Sequence, residues 1–179
     1  WAVEAVQLIF QNLPRAYENG SDLEARRNML RASYLAGMSF TRSYVGYCHA
    51  VAHSLGGRYN TPHGLANSVL LPYVLRAYGK SIYRQLKELA VAVGVAGEKT
   101  PEAFAAETFI RAIERMNNHM GIPTKLSGIR PEDIDALSRF ADREGNPLYP
   151  VPRLMDRRDL QRFYAMVSED ATDMTQTTI

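Results

Sequence analysis

His49, His53 and His63 are the residues of this chain best suited to chemistry: three of its four histidines fall within fifteen positions. Neutral imidazole ligates divalent zinc, iron or nickel, and it also exchanges protons near physiological pH. In His49-Ala-Val-Ala-His53 the two rings are four residues apart, which on a helix puts them on one face with Cβ atoms roughly 5–6 Å apart. His63 follows Gly56-Gly57 and then Asn60-Thr61-Pro62. A helix that ends at the glycines and a new one that starts near Pro62 bring the third imidazole back to the same point. The new helix also starts with unpaired backbone N–H groups, which favour an anion or carboxylate. A metal site is one reading of this spacing. Three histidines satisfied within a helical core is the other, and spacing alone leaves both open. The glutamate of His-Glu-x-x-His is missing, so a zinc-protease reading fails for want of its general base.

Neighbouring residues add less. Cys48 adjoins His49 but points about a quarter-turn away on a helix, so a structural thiol is expected. Phe40 is a candidate to line the same cavity, with plain core as the alternative. His119 stands near a helix C-terminus, where it offsets the helix dipole or simply faces solvent.

The elements that must position these residues are helical nearly throughout. Val6, Ile9, Phe10 and Leu13 follow the spacing of a buried helical stripe. Ser21-Asp22-Leu23-Glu24 reads as a capping box that opens a helix burying Leu30, Tyr34 and Met38 and running to about Phe40. The histidine helix is expected to end at Gly56-Gly57. An apolar helix then spans about 63–77, with Pro72 as a kink or break. Ile82, Leu86, Leu89 and Val93 mark another, ended by Gly94. Thr100-Pro101-Glu102 opens the next, with Phe109, Ala112, Ile113 and Met116 inward, and Gly121 and Pro123 stop it. Shorter helices are expected at about 131–141 and 156–167. No segment alternates with period two between hairpin turns. The expectation is an all-α, bundle-like domain of about eight helices over 1–167, with a polar, frayed C-terminal tail over 168–179.

Composition narrows the function. The 179 residues suffice for one sizeable core. A net charge of +2, with Arg26-Arg27 and Arg157-Arg158 as isolated pairs, argues against a nucleic-acid partner. No apolar run approaches the about 20 residues that cross a bilayer, so no membrane is expected. A single cysteine and the lack of a leader-like start fit a cytoplasmic protein. The text from Trp1 to Phe10 reads as the middle of a helix without a cap, as in a piece of a larger protein.

The stretch from His49 to Val74 resembles the signature of the iron-containing (group III) alcohol dehydrogenases. It reads His-Ala-x-Ala-His-x-Leu-Gly-Gly-x-Tyr-Asn-x-Pro-His-Gly-x-Ala-Asn-x-x-Leu-Leu-Pro-x-Val. Asn12-Leu-Pro-Arg-Ala16, Leu23-Glu-Ala-Arg26, Leu35-Ala-Gly-Met-Ser-Phe40 and Gly121-Ile-Pro123 extend the resemblance to residues 1 to about 167. It implies a C-terminal domain of the dehydroquinate synthase-like type, working with an N-terminal dinucleotide-binding domain of the same protein, commonly as a homo-oligomer. It implies a divalent metal, Fe2+ first and Zn2+ as the alternative, ligated here by His49 and His63. It makes His53 the neighbour of the nicotinamide of NAD or NADP, with a proton-relay role, and sets Phe40 beside the alcohol or aldehyde substrate. The metal's part is that of a Lewis acid on the substrate oxygen while hydride passes to or from the nicotinamide.

Two parts of the family pattern are missing. The two further ligands, an Asp and a His four residues apart, have no counterpart: no Asp-x-x-x-His occurs in the sequence. Nor is there a glycine-rich strand-to-helix turn for a pyrophosphate. The expectation is therefore a metal-binding half that is inactive and weakly metallated alone, with an exposed face prone to self-association. A non-catalytic helical module that keeps the motif as scaffold is the alternative. Zinc-dependent glycerol dehydrogenases and metal-free maleylacetate reductases fit the text around Pro62-His63-Gly64 less well.

Overall fold

A computed structural model describes residues 1–170. They form eight α-helices: α1 (Ala2–Glu18), α2 (Leu23–Ser43), α3 (Tyr47–Tyr59), α4 (His63–Tyr78), α5 (Tyr83–Ala92), α6 (Glu102–His119), α7 (Ile134–Gly145) and α8 (Arg157–Val167). Short 3-10 turns cover Gly79–Ile82 and Pro131–Asp133. Among the described residues the only extended pairing is one parallel bridge, Leu126 with Ser168. The all-α expectation holds. The chain divides into two compact units, one of Trp1–Tyr44 with Gly79–Gly121 and one of Val45–Tyr78 with Ile122 onward.

The first unit consists of the pairs α1–α2 and α5–α6, with α1 also touching α5. The α1–α2 seam is built from small residues: Ala5, Ala25 and Ala32 are buried. Asn12 is buried in the same seam and fully used, since its Nδ2 donates to the Leu8 carbonyl at 2.8 Å and its Oδ1 accepts from Asn28 at 3.0 Å. Asp22, rather than Ser21, caps α2 by accepting from the Ala25 N–H at 2.9 Å. Arg15 then bridges Asp22 and Glu24 across the turn. The α5–α6 pair closes over Leu86, Ala90, Phe109 and Ile110, and Phe109 stacks on Phe10 with ring centroids 5.4 Å apart.

One expectation for α2 is overturned. Leu30 and Tyr34 are 74% and 67% exposed, and Met38 is half-buried. The face that α2 turns to α1 is the alanine face, and alanines permit a close approach that leaves the larger side chains outward.

The second unit is organised around α3, which packs on α4, α7 and α8. Tyr47, Ala50, Val51, Ala52 and Leu55 are buried along it. Gly145, at the end of α7, is required by this packing: a Cβ there would lie 2.9 Å from Tyr47 Cε1. The Tyr47 hydroxyl donates to Asn146 Oδ1 at 2.6 Å and accepts from the Met155 N–H at 3.1 Å. Tyr164 of α8 meets Ser54 of α3 at 2.6 Å through their hydroxyls and donates to the Leu137 carbonyl at 3.1 Å.

Three local expectations change here. α3 continues through Gly56-Gly57 to Tyr59, and the turn is made by Asn60, which adopts a left-handed φ of 55° while its N–H bonds to the Gly56 carbonyl. α4 runs through Pro72, so of the expected kink or break the break does not occur. The tail expected from Ser168 does not begin there: Ser168 is buried, its Oγ donates to the Ile129 carbonyl at 3.2 Å, and Glu169 N–H pairs with the Leu126 carbonyl. The rest of the expected tail, 171–179, lies outside the described residues.

Candidate functional site

The helix α3, the Asn60 turn and the start of α4 bring the three histidines together. The ring centroids are 5.8 Å apart for His49 and His53, 5.4 Å for His49 and His63, and 5.2 Å for His53 and His63. The pair on α3 meets because four residues make slightly more than one turn. His63 joins them because the left-handed Asn60 reverses the chain, and not because the helix stops at its glycines. His49 is half-buried, while His53 and His63 are exposed. Burial first, then repulsion from His63 and His53, holds the His49 imidazole below the usual histidine range. His49 is thereby kept neutral near pH 7, the form in which imidazole binds a metal.

Each of the other two rings has a side-chain neighbour. His53 Nδ1 lies 2.6 Å from Glu144 Oε1 on α7. The same oxygen accepts a hydrogen bond from the Tyr149 hydroxyl at 2.6 Å. Burial, then the bond to Glu144, pushes the Tyr149 phenol up to about 12. Asn67, one turn along α4 from His63, donates from Nδ2 to the His63 carbonyl at 3.1 Å and stands 3.2 Å from the ring Nε2. Its Oδ1 is buried with no hydrogen-bond partner.

A cavity of about 700 Å³ opens between α3 and α7 beside this cluster, with His53, Arg58, Leu137, Phe140 and Glu144 among its lining residues. Below it, Asp133 ties the end of α3 to the start of α7. Arg58 Nη2 donates to its Oδ1 at 2.8 Å, while Tyr59 Oη at 2.8 Å and Arg130 Nε at 2.9 Å reach its Oδ2. These donors, Arg58 first, hold the Asp133 carboxyl down at about 2.

The remaining candidates make contacts of their own. Cys48 points to the Asn67 carbonyl at 3.6 Å, and burial pushes its thiol up to about 12, as expected of a structural cysteine. His119 pairs with Glu18 at 2.8 Å near the end of α6. Phe40 is on α2 of the other unit and is 51% exposed. Glu144, Tyr149 and Asp133 were not identified from the sequence. Asn67 carried a detectable signal, four residues after His63 on one helix. Glu144 carried none, because 91 residues separate it from His53.

As a donor set, neutral imidazoles suit a divalent transition metal, and the unspent Asn67 oxygen in the side chain that reaches His63 is a further ligand-type atom. Among the described residues no three or more His, Cys, Asp and Glu side chains are arranged to hold a metal by themselves. No described helix is long and apolar enough to cross a membrane.

Known proteins resemble this chain over most of its length. The 1,3-propanediol dehydrogenase of Klebsiella pneumoniae is 42% identical over 167 residues, covering 91% of this chain and 42% of that protein. Its Citrobacter freundii counterpart is 38% identical over 165 residues, with the same coverage of 91% and 42%. A crystal structure of a 1,3-propanediol oxidoreductase superposes with a TM-score of 0.85 at 34% identity, covering 92% of this chain and 44% of that one. An alcohol dehydrogenase from Oenococcus oeni gives a TM-score of 0.84 at 34% identity, covering 92% and 43%. The chain thus spans about two fifths of the length of the relatives it matches. Residues 1–167 match the profile described as the Fe-containing alcohol dehydrogenase family, C-terminal, and the chain belongs to that family as its helical C-terminal domain.

Proposed function

We propose that this chain is the metal-binding half of an NAD(P)-dependent alcohol dehydrogenase, and that it works with a dinucleotide-binding domain. The observation that carries the reading is the convergence of three imidazoles, with centroids 5.2–5.8 Å apart, inside the family's signature text. His49 and His63 are the metal ligands contributed by this chain. His53 is the neighbour on the nicotinamide side and handles the alcohol proton. Phe40 packs beside the substrate. A divalent metal, iron first and zinc as the alternative, would supply Lewis-acid polarisation of the alcohol or aldehyde oxygen. The chain's own residues contribute imidazole donors at His49 and His63 and a proton site at His53.

Two imidazoles leave a dication's charge uncompensated, so the isolated chain is expected to bind metal weakly and to lack turnover. Completed with a dinucleotide-binding domain, it should reduce NAD or NADP in the presence of a short alcohol or a propanediol. His49→Ala and His63→Ala should each lower that rate by at least about a thousandfold, the scale of losing a Lewis acid worth several kcal/mol. Undiminished turnover in both variants would refute the assigned roles.

The alternative is a non-catalytic module that keeps the motif as scaffold. On that reading the completed protein is inactive whatever stands at 49 and 63.

A further inference from the structure

We infer that Glu144, itself held by Tyr149, fixes His53 in the Nδ1-protonated tautomer and leaves Nε2 as the lone-pair nitrogen. His53 Nδ1 and Tyr149 Oη both lie 2.6 Å from one oxygen, Oε1 of Glu144. A carboxylate accepts hydrogen bonds and has no proton to give, so both partners donate to it. Tyr149 can do so throughout the neutral range. In the neutral ring of His53 the proton is then on Nδ1 and the lone pair is on Nε2. In water a histidine side chain prefers the opposite arrangement, so the carboxylate is selecting the minor form.

The selection depends on where Glu144 is held. The residue after it, Gly145, packs so closely on the Tyr47 ring that a Cβ would come within 2.9 Å of it. The Tyr149 N–H returns to the Gly145 carbonyl at 3.0 Å, which keeps the phenol over the same turn. Glu144 is half-buried, with 31% of its side chain exposed, so its bonds are only partly diluted by solvent. Two pieces of chain that are distant in sequence, α3 and the end of α7, thus meet at this imidazole.

The catalytic consequence rests on the reading proposed above. With a nicotinamide bound to accept the hydride and its electron pair from the alcohol carbon, His53 Nε2 would be the atom that takes the alcohol O–H proton. The ring then carries two protons, and the Nδ1–H bond to Glu144 stabilises that cation, as a buried Asp does for a catalytic histidine elsewhere. Glu144 touches neither substrate nor cofactor in this scheme. It is a positioning residue.

Long-range proton–nitrogen correlation spectra of the 179-residue chain, labelled with nitrogen-15 at histidine and free of metal, test this directly. Above the histidine titration range, His53 should show a pyrrole-type Nδ1 and a pyridine-type Nε2. Glu144→Ala should reverse the two. Glu144→Gln, whose amide carbonyl still accepts, should keep the original pattern, and it also serves if the alanine variant fails to fold. An Nε2-protonated His53 in the unaltered chain, or no change in Glu144→Ala, overturns the inference. In the completed enzyme Glu144→Ala should lower kcat by about ten- to a hundredfold with KM for the nicotinamide unchanged, on the scale of other outer-shell histidine partners. A tautomer switch with kcat intact overturns the catalytic part. If the completed enzyme is inactive before any substitution, the function proposed above fails, while the spectra of the metal-free chain still decide the tautomer.

Discussion

α2 and α3 are helices of the same chain, yet they are held in opposite ways. α2 has 21 residues and buries only Ala25 and Ala32. Its large side chains, Leu30, Tyr34 and Phe40 among them, face outward. α3 has 13 residues and buries five, and Tyr47, His53, Ser54, Arg58 and Tyr59 each reach a partner more than 70 positions away. Fully burying a Val or Leu contributes roughly 1.5–3 kcal/mol, so Val51 and Leu55 alone outweigh the burial at Ala25 and Ala32. A helix that must aim two imidazoles is locked from several directions. A helix that presents a broad surface is anchored along one narrow seam.

The largest expected effect is on the α3 side. Tyr47→Ala removes a fully buried ring and the hydroxyl that bonds Asn146 and Met155. It should cost about 3–5 kcal/mol, read as a fall in the urea midpoint. A loss below about 1 kcal/mol would mean that α3 is not the hub of its unit.

Asp133→Asn sharpens the comparison through pH. The folded-state carboxyl is held at about 2 against an ordinary 3.8. Its contribution is therefore fully present above about pH 4 and is lost as pH falls through about 2. The gap in urea midpoint between the unaltered chain and Asp133→Asn should be widest near neutrality and close across that window. A gap that is constant with pH would show that the Arg58–Tyr59–Arg130 cluster contributes packing alone.

The smallest effect belongs to α2. Leu30→Ala, at 74% exposure, should change stability by no more than about 0.5 kcal/mol in urea unfolding. A cost approaching that of a core leucine would show that the outward face of α2 is covered in solution, by self-association or another partner.

The same contrast explains what could be read in the sequence. α4, α6 and α8 are legible because their limits are local: Pro62, Pro101 and Asp156 stand where these helices begin, and Gly121 stands just past the end of α6. The end of α3 was misplaced because a glycine pair is only permissive. Asn60 could take the left-handed turn, and α3 continued until it did. The α2 stripe was misassigned because periodicity identifies an apolar face without revealing whether anything covers it. His49, His53 and His63 stood out by spacing. Glu144 and Tyr149 did not, because their link to His53 is made by tertiary packing at the end of α7.

Metal analysis of the chain completed with a dinucleotide-binding domain tests the central claim most directly. About one divalent metal ion per chain is expected in the unaltered protein and in His53→Ala. His49→Ala and His63→Ala should each lose that ion. Full retention of metal in both of the latter variants would contradict the assignment of this cluster as half of a metal site.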